Sequence, residues 1–322
     1  MIEVENLEKD FFVPHTVKGP FGAVKGLFRR TGITVQAVRN VSFCIAPGEF
    51  VGYVGPNGAG KSTTIKMLTG VLHQTRGSVS VLGMSPQRER TKVVRHLGVV
   101  FGQRTHLWWD LPLIESFELL ATMYGVTGSR YKEKLALFSD LFGLASYWDN
   151  PVRKLSLGQR MRGEIAAALL HSPQILLLDE PTIGLDVVAR GAIRGFLQEV
   201  NKQGVTVLLT THDLADVERL CNRVMVINHG EILFDGKVNE LKRQLGDMTK
   251  MIIDFEPGAE LAELTLPEGC VAALTGGLKL TVSFERESCS PNDILRALNG
   301  RGVIRDIHIK EPDIETTVAK LF

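Results

Sequence analysis

The chain has little cysteine and spreads it widely: Cys44, Cys221, Cys270 and Cys289 form no CxxC pair. That spacing gives neither a thiolate zinc site nor a disulfide framework and reads as four reduced thiols. The eight histidines are also dispersed, and HExxH is missing. No stretch reaches the roughly 18 apolar residues that a membrane-spanning helix requires. The nearest, Ile165 to Leu178, is interrupted by His171, Ser172 and Pro173. The opening MIEVENLEKD carries acids early and lacks the basic-then-apolar order of a secretory leader, so no leader is expected. Neither charge sign dominates: 37 Lys and Arg face 36 Asp and Glu, a formal net charge of +1. A protein that coats a polyanion is thereby excluded, and no nucleic-acid partner is expected.

What is present fits a globular chain of about two domains, with 322 residues, 44% hydrophobic and 23% charged. Short apolar runs at Ile2 to Val4, Val41 to Ile45, Phe50 to Val54, Val79 to Leu82 and Leu97 to Phe101 read as strands, and Lys61 to Leu72 has helical spacing. From Leu113 to about Leu170 the apolar positions recur at helical intervals. Strands then return at Ile175 to Leu178, Val205 to Leu209 and Val224 to Ile227. Such alternation predicts an α/β core, residues 1–245, with a helical insertion at about 104–170. The texture changes near Leu245-Gly246, and residues 246–322 read as a small α+β domain. For it we expect a ferredoxin-like β-α-β-β-α-β order, with a last helix starting after Pro312.

The strongest local signal is Gly55-Pro56-Asn57-Gly58-Ala59-Gly60-Lys61-Ser62-Thr63, which fits GxxxxGK[ST] between a strand and a helix. Its glycines let the backbone turn several N–H groups toward phosphates, and the helix start adds a positive dipole end. Lys61 is placed to bridge the β- and γ-phosphates, and the Ser62 hydroxyl to bind Mg²⁺. A second signal follows four apolar residues at Asp179-Glu180-Pro181. Ligands of open α/β sheets bind at the carboxyl ends of strands. Asp179 therefore suits the Mg²⁺ shell, and Glu180 can face the γ-phosphate and a water.

Leu155-Ser156-Leu157-Gly158-Gln159 precedes a helix rich in alanine and leucine. Together with the two motifs above, it resembles the LSGGQ sequence of ABC-type ATPases, with Leu157 where that family most often has glycine. The resemblance runs from Met1 to about Leu245 and implies a P-loop NTPase core of ABC type that binds and hydrolyses ATP with Mg²⁺. Carried over residue by residue, it implies that Gln103 senses the γ-phosphate and Mg²⁺, that Asp186 crosses a dimer interface, and that His212 is the switch histidine. Ser156, Gly158 and Gln159 would contact the ATP held by the other subunit. Phe11 matches the aromatic that stacks on adenine; a core role for a strand-end phenylalanine stands beside that reading.

The resemblance also implies partners. Two such domains sandwich two ATP molecules, as a homodimer or a heterodimer, and drive an integral-membrane permease. With no membrane span here, the permease is expected to be a separate chain and this one a cytoplasmic protein, peripheral on the inner face of the cell membrane. The exporter branch with separate permease chains is the nearest match; importer ATPases and ribosome-acting ABC proteins are the alternatives. The adjacent Trp108 and Trp109 read either as core packing or as a permease anchor. Between Asp10 and Glu49 there is no acid, and residues 13–34 read as an insertion. There Phe21, Val24 and Phe28 could share a face with Lys25 and Arg29 alongside, touching the permease or anionic lipid, or forming a solvated basic loop.

Overall fold

The computed structural model describes residues 1–14, 32–102, 105–244, 248–259, 261, 264–276, 278–285 and 288–310. Gln103, the apolar-basic face at Phe21 to Arg29 and the helix expected after Pro312 lie outside the described residues. The chain forms two compact units, Met1–Val238 and Asn239–Phe322.

The first unit is a mixed α/β structure. In chain order it contains β1 (Ile2–Pro14), β2 (Gly32–Ile45), β3 (Phe50–Val54), α1 (Lys61–Leu68), β4 (Arg76–Val81), α2 (Arg90–Val94) and β5 (Leu97–Phe101). Then follow α3 (Leu113–Tyr124), α4 (Gly128–Phe142), α5 (Leu157–Leu169), β6 (Ile175–Asp179) and α6 (Val187–Lys202). It closes with β7 (Thr206–Thr211), α7 (Leu214–Leu220), β8 (Arg223–Asn228) and β9 (Glu231–Lys237). Six strands form one sheet in the order β5-β6-β7-β3-β8-β9, parallel except for the β8-β9 pair. A smaller antiparallel sheet has the order β2-β1-β4.

The core lies between these sheets, and strand periodicity explains how. Val51 and Tyr53 of β3, Ile175 and Leu177 of β6, and Met225 and Ile227 of β8 point to one face and pack with Ile2, Val4, Phe43 and Val81 of the smaller sheet. The intervening residues, such as Leu176 and Leu178, are equally buried on the opposite face. Burial on both faces is why these parallel strands read as unbroken apolar runs. Tyr53 brings a hydroxyl into this layer; it meets Thr64 Oγ1 at 3.4 Å, and burial pushes its pKa well up.

The β1-β2 ribbon is longer than the short strands expected from sequence. Phe11, Phe12 and Val13 pair with Val35, Thr34 and Ile33, so the ends of the expected 13–34 insertion are strand rather than loop. These are β-branched and aromatic residues, which favour extended pairing. Register shifts between Val4 and Asp10 break the alternation that would have marked the strand as continuous.

In the second unit α8 (Val238–Gln244) leads to β10 (Thr249–Phe255), β11 (Val271–Thr275), β12 (Lys279–Phe284), α9 (Pro291–Ala297) and β13 (Ile304–Lys310). Its antiparallel sheet has the order β11-β12-β10-β13, the strand arrangement of a ferredoxin-like fold. The expected first crossover helix is corrected: between β10 and β11 the described residues contain none. Pro257 with Gly258 and Pro267 with Gly269 bound that segment and leave few residues for helical turns, while Leu261, Leu264 and Leu266 pack against the sheet instead.

One buried ion pair binds α6 to α7. Asp216 is fully buried, pairs with Arg194 and accepts the Thr182 hydroxyl at 2.5 Å. Removing one partner of such a pair leaves the other charge uncompensated, so Asp216→Ala is expected to destabilise the fold by about 3–5 kcal/mol. Urea unfolding checks this, as a lowered midpoint.

Candidate nucleotide site

Because β3, β6 and β7 run parallel and adjacent, the segments that follow them emerge on one edge of the sheet. That edge gathers the phosphate loop after β3, Asp179 and Glu180 at the end of β6, and His212 after β7. The loop turns tightly into α1. Gly60 precedes the helix at φ +108, and a Cβ there would stand 2.6 Å from Ala37 O, so only glycine is accommodated. Asn57, Gly58, Gly60, Lys61, Ser62 and Thr63 line a cavity of about 260 Å³ with Asp179 and Glu180.

Lys61 is 5% exposed. Its Nζ donates to Gly55 O at 2.6 Å and Pro56 O at 3.1 Å, and lies 3.5 Å from Glu180 Oε1. The same Glu180 oxygen is 3.5 Å from His212 Nδ1. Asp179 Oδ1 accepts the Ser62 hydroxyl at 3.1 Å and the Thr210 hydroxyl at 2.6 Å. Glu180 takes a left-handed backbone conformation, φ +54, which costs an ordinary residue about 1–3 kcal/mol. Its N–H donates to Thr210 O at 3.0 Å, which holds the turn in place. A carboxylate is thus fixed between a buried ammonium and a half-exposed imidazole, beside a glycine-rich anion cradle. Such a set can bind a polyphosphate, place a water at its terminal phosphorus and accept that water's proton.

The donor set also fits Mg²⁺. Ser62 Oγ and Asp179 Oδ1 are hard oxygen ligands beside the phosphate loop. Among the described residues no cluster of three or more His, Cys, Asp or Glu could hold a metal alone. Mg²⁺ characteristically takes one or two protein oxygens and completes its shell with phosphate and water.

The remaining sequence candidates form a second group. Ser156 caps α5: its Oγ accepts from Gln159 N at 3.2 Å, and Gln159 Oε1 accepts from Ser156 N at 2.9 Å. This reciprocal box satisfies backbone donors at the helix start. Asp186 caps α6, accepting from Ala189 N at 2.8 Å. The two helix starts touch, since a Cβ on Gly158 would meet Ala189 Cβ at 3.0 Å. None of Ser156, Gly158, Gln159 or Asp186 lines the Lys61 cavity. Phe11 is 38% exposed on β1, with Lys9 Nζ 5.1 Å from its ring centroid, and it too is outside the cavity lining.

Sequence reading missed Thr210, which orients Asp179 and caps the Glu180 turn, and Lys66, Phe101 and Gly102, which line the cavity. A threonine ending an apolar strand has no signature; only the β6-β7 register, which sets Asp179 opposite Thr210, exposes its role.

A family profile described as ABC transporter matches residues 38–183. A second, described as an AAA domain, putative AbiEii toxin, matches residues 151–216. The Nod factor export ATP-binding protein I of Cupriavidus metallidurans is 33% identical, over 88% of this chain and 91% of that protein. The ABC transporter ATP-binding protein NatA of Bacillus subtilis is 35% identical, over 64% of this chain and 84% of that protein. Among solved structures, a dimeric ATP-binding cassette in a post-hydrolysis state with ADP and Pi superposes with a TM-score of 0.62 at 28% identity, covering 74% of this chain and 99% of that one.

Proposed function

The chain belongs to the ATP-binding proteins of ABC transporters, and from that premise we propose that it powers a separate membrane permease, in the direction of export, through an ATP-driven dimer. As a member of that family it binds and hydrolyses ATP. The observation that carries the proposal is the division of the motif residues into two groups. Ser156 to Gln159 and Asp186 stand apart from the Lys61 cavity on one chain. A second subunit, identical or related, brings its own helix start to the γ-phosphate and completes the site.

In the closed pair, the loop at Gly55 to Thr63 cradles the phosphates and Lys61 neutralises the β- and γ-oxygens. Phe11 stacks on adenine. Glu180 accepts the proton of the attacking water, and His212, held near Glu180 Oε1, contacts the transferring phosphoryl group. Ser62 and Asp179, with Gln103 as a further ligand, would hold Mg²⁺, which when bound offsets the charge of the β- and γ-phosphates. Hydrolysis leaves two repelling anions where one stood, which favours opening.

Export rests on the printed name of the Nod factor export relative and on the separate-chain organisation expected from sequence. No helix among the described residues is long and apolar enough to cross a membrane, so attachment to the membrane falls to the permease. A groove of about 320 Å³ lies between β5 and the helical insertion, lined by Val71, Arg90, Val94, Leu120, Tyr124 and His171 among others. Trp108 and Trp109 are 38% and 48% exposed, which favours the anchor reading over core packing.

Affinity purification of the tagged chain from membranes tests this reading. It is expected to recover a polytopic membrane protein. Trp109→Ala is expected to weaken that association by at least about 2 kcal/mol, roughly thirtyfold, with ATPase activity of the isolated chain unchanged. Recovery of ribosomal proteins with no membrane partner would replace the transport reading by the ribosome-acting one.

A further inference from the structure

Behind Glu180, two arginines meet two aspartates that no step above uses. Arg190 and Arg194 stand four residues apart on α6 and so share one face. Asp213 and Asp216 stand three apart at the start of α7. The two pairs differ in burial. Arg194 and Asp216 have side chains 13% and 0% exposed, whereas Arg190 and Asp213 are 32% and 21% exposed. The deeper pair binds the helices together, and Arg194 Nη2 also lies 3.9 Å from Asp213 Oδ2.

The shallower pair is the one that lines a cavity with Glu180 and His212. Arg190 Nη1 donates to Asp213 Oδ2 at 2.6 Å, and Nη2 reaches Leu185 O at 3.5 Å. One guanidinium therefore holds the residue after His212 and the residue before Asp186 at once. Asp213 is itself fixed, its N–H donating to Thr211 Oγ1 at 2.9 Å and its Oδ1 accepting from Ala215 N at 3.0 Å. Arg190 also lines a cavity of about 70 Å³ with Glu180, Gly184, Thr211 and His212. Its Nε is buried and has no partner.

We propose that Arg190 is a positioning residue for ATP hydrolysis. Through Asp213 it sets the His212 loop against Glu180, and through Leu185 O it ties that loop to the turn presenting Asp186. The placement of His212 then follows the placement of the Asp186 turn. The proposal rests on the reading of Glu180 and His212 as hydrolytic residues.

Steady-state ATPase kinetics on the full chain test it with R190M, R190K, D213N, R190M/D213N and E180Q. R190M is expected to lower kcat by about tenfold to a hundredfold, the cost of misplacing a catalytic group by an ångström or less, with KM within about twofold of the parent. R190K recovers part of kcat, because one ammonium reaches Asp213 but cannot also fork to Leu185 O. D213N, which keeps the helix cap, shows a loss like that of R190M, and the double variant is no worse than either single one. A merely structural role predicts lowered thermal stability with kcat per folded molecule unchanged, and that result overturns the proposal. So do a kcat for R190M within twofold of the parent, or losses in R190M and D213N that multiply. E180Q separates the levels. Normal turnover in E180Q removes the hydrolytic reading and this proposal with it; an inactive E180Q beside an unaffected R190M removes this proposal alone.

Discussion

Glu180→Gln is expected to abolish ATP turnover while leaving nucleotide binding intact, and to trap a closed ATP-bound dimer. Glu180 has one side-chain oxygen 3.5 Å from both Lys61 Nζ and His212 Nδ1, and its side chain is 16% exposed. Glutamine has the same shape and fills the same space, so the phosphate loop keeps its walls. It cannot accept the water's proton, and loss of a general base costs about 10²–10⁴ in rate. With the chemical step blocked, the repulsion that opens the dimer never develops. Phosphate release measures the first effect, and size-exclusion chromatography in ATP measures the second. Turnover near the parent rate would remove Glu180 as the catalytic base.

Lys61→Ala is expected to lose nucleotide affinity. The lysine is buried at 5% exposure and its Nζ sits on Gly55 O and Pro56 O, at the mouth of the loop that would wrap the phosphates. Alanine removes a desolvated cation from a polyanion site and leaves those carbonyls without a donor. Truncating one partner of a buried charged pair costs about 2–5 kcal/mol, roughly thirtyfold to several thousandfold in Kd. Glu180 also loses its cation, which adds repulsion toward phosphate. Titration with a fluorescent ATP analogue reads the change, and unchanged affinity would contradict the phosphate-cradle assignment.

The sequence shows some elements sharply and others hardly at all, for physical reasons. Phe50–Val54 and Leu97–Phe101 were legible to the residue because both read as apolar runs. Glu231–Lys237 was not, because it is alternately exposed, with Asp235, Gly236 and Lys237 at its end. β1 was read as ending at Val4 because Asn6 adopts φ +46 and shifts the register, hiding nine further residues of pairing. In the second unit, the expected ferredoxin-like order called for a first crossover helix, which is missing among the described residues between Thr249–Phe255 and Val271–Thr275.

The site divides along the same line. Gly55 to Thr63 could be assigned from sequence alone because strand, loop and helix start are contiguous, so the chemistry is written in consecutive residues. Asp179 and Glu180 follow from the short apolar run before them. These residues by themselves pointed to a nucleotide held at a sheet edge, and hydrolysis was an expectation from the family resemblance. Only the tertiary structure decided that Thr210 orients Asp179, that Arg190 joins the His212 loop to the Asp186 turn, and that Ser156 to Gln159 stand outside the Lys61 cavity. Each of these contacts joins residues distant in the chain through strand register and helix packing, and such contacts leave no pattern among sequence neighbours.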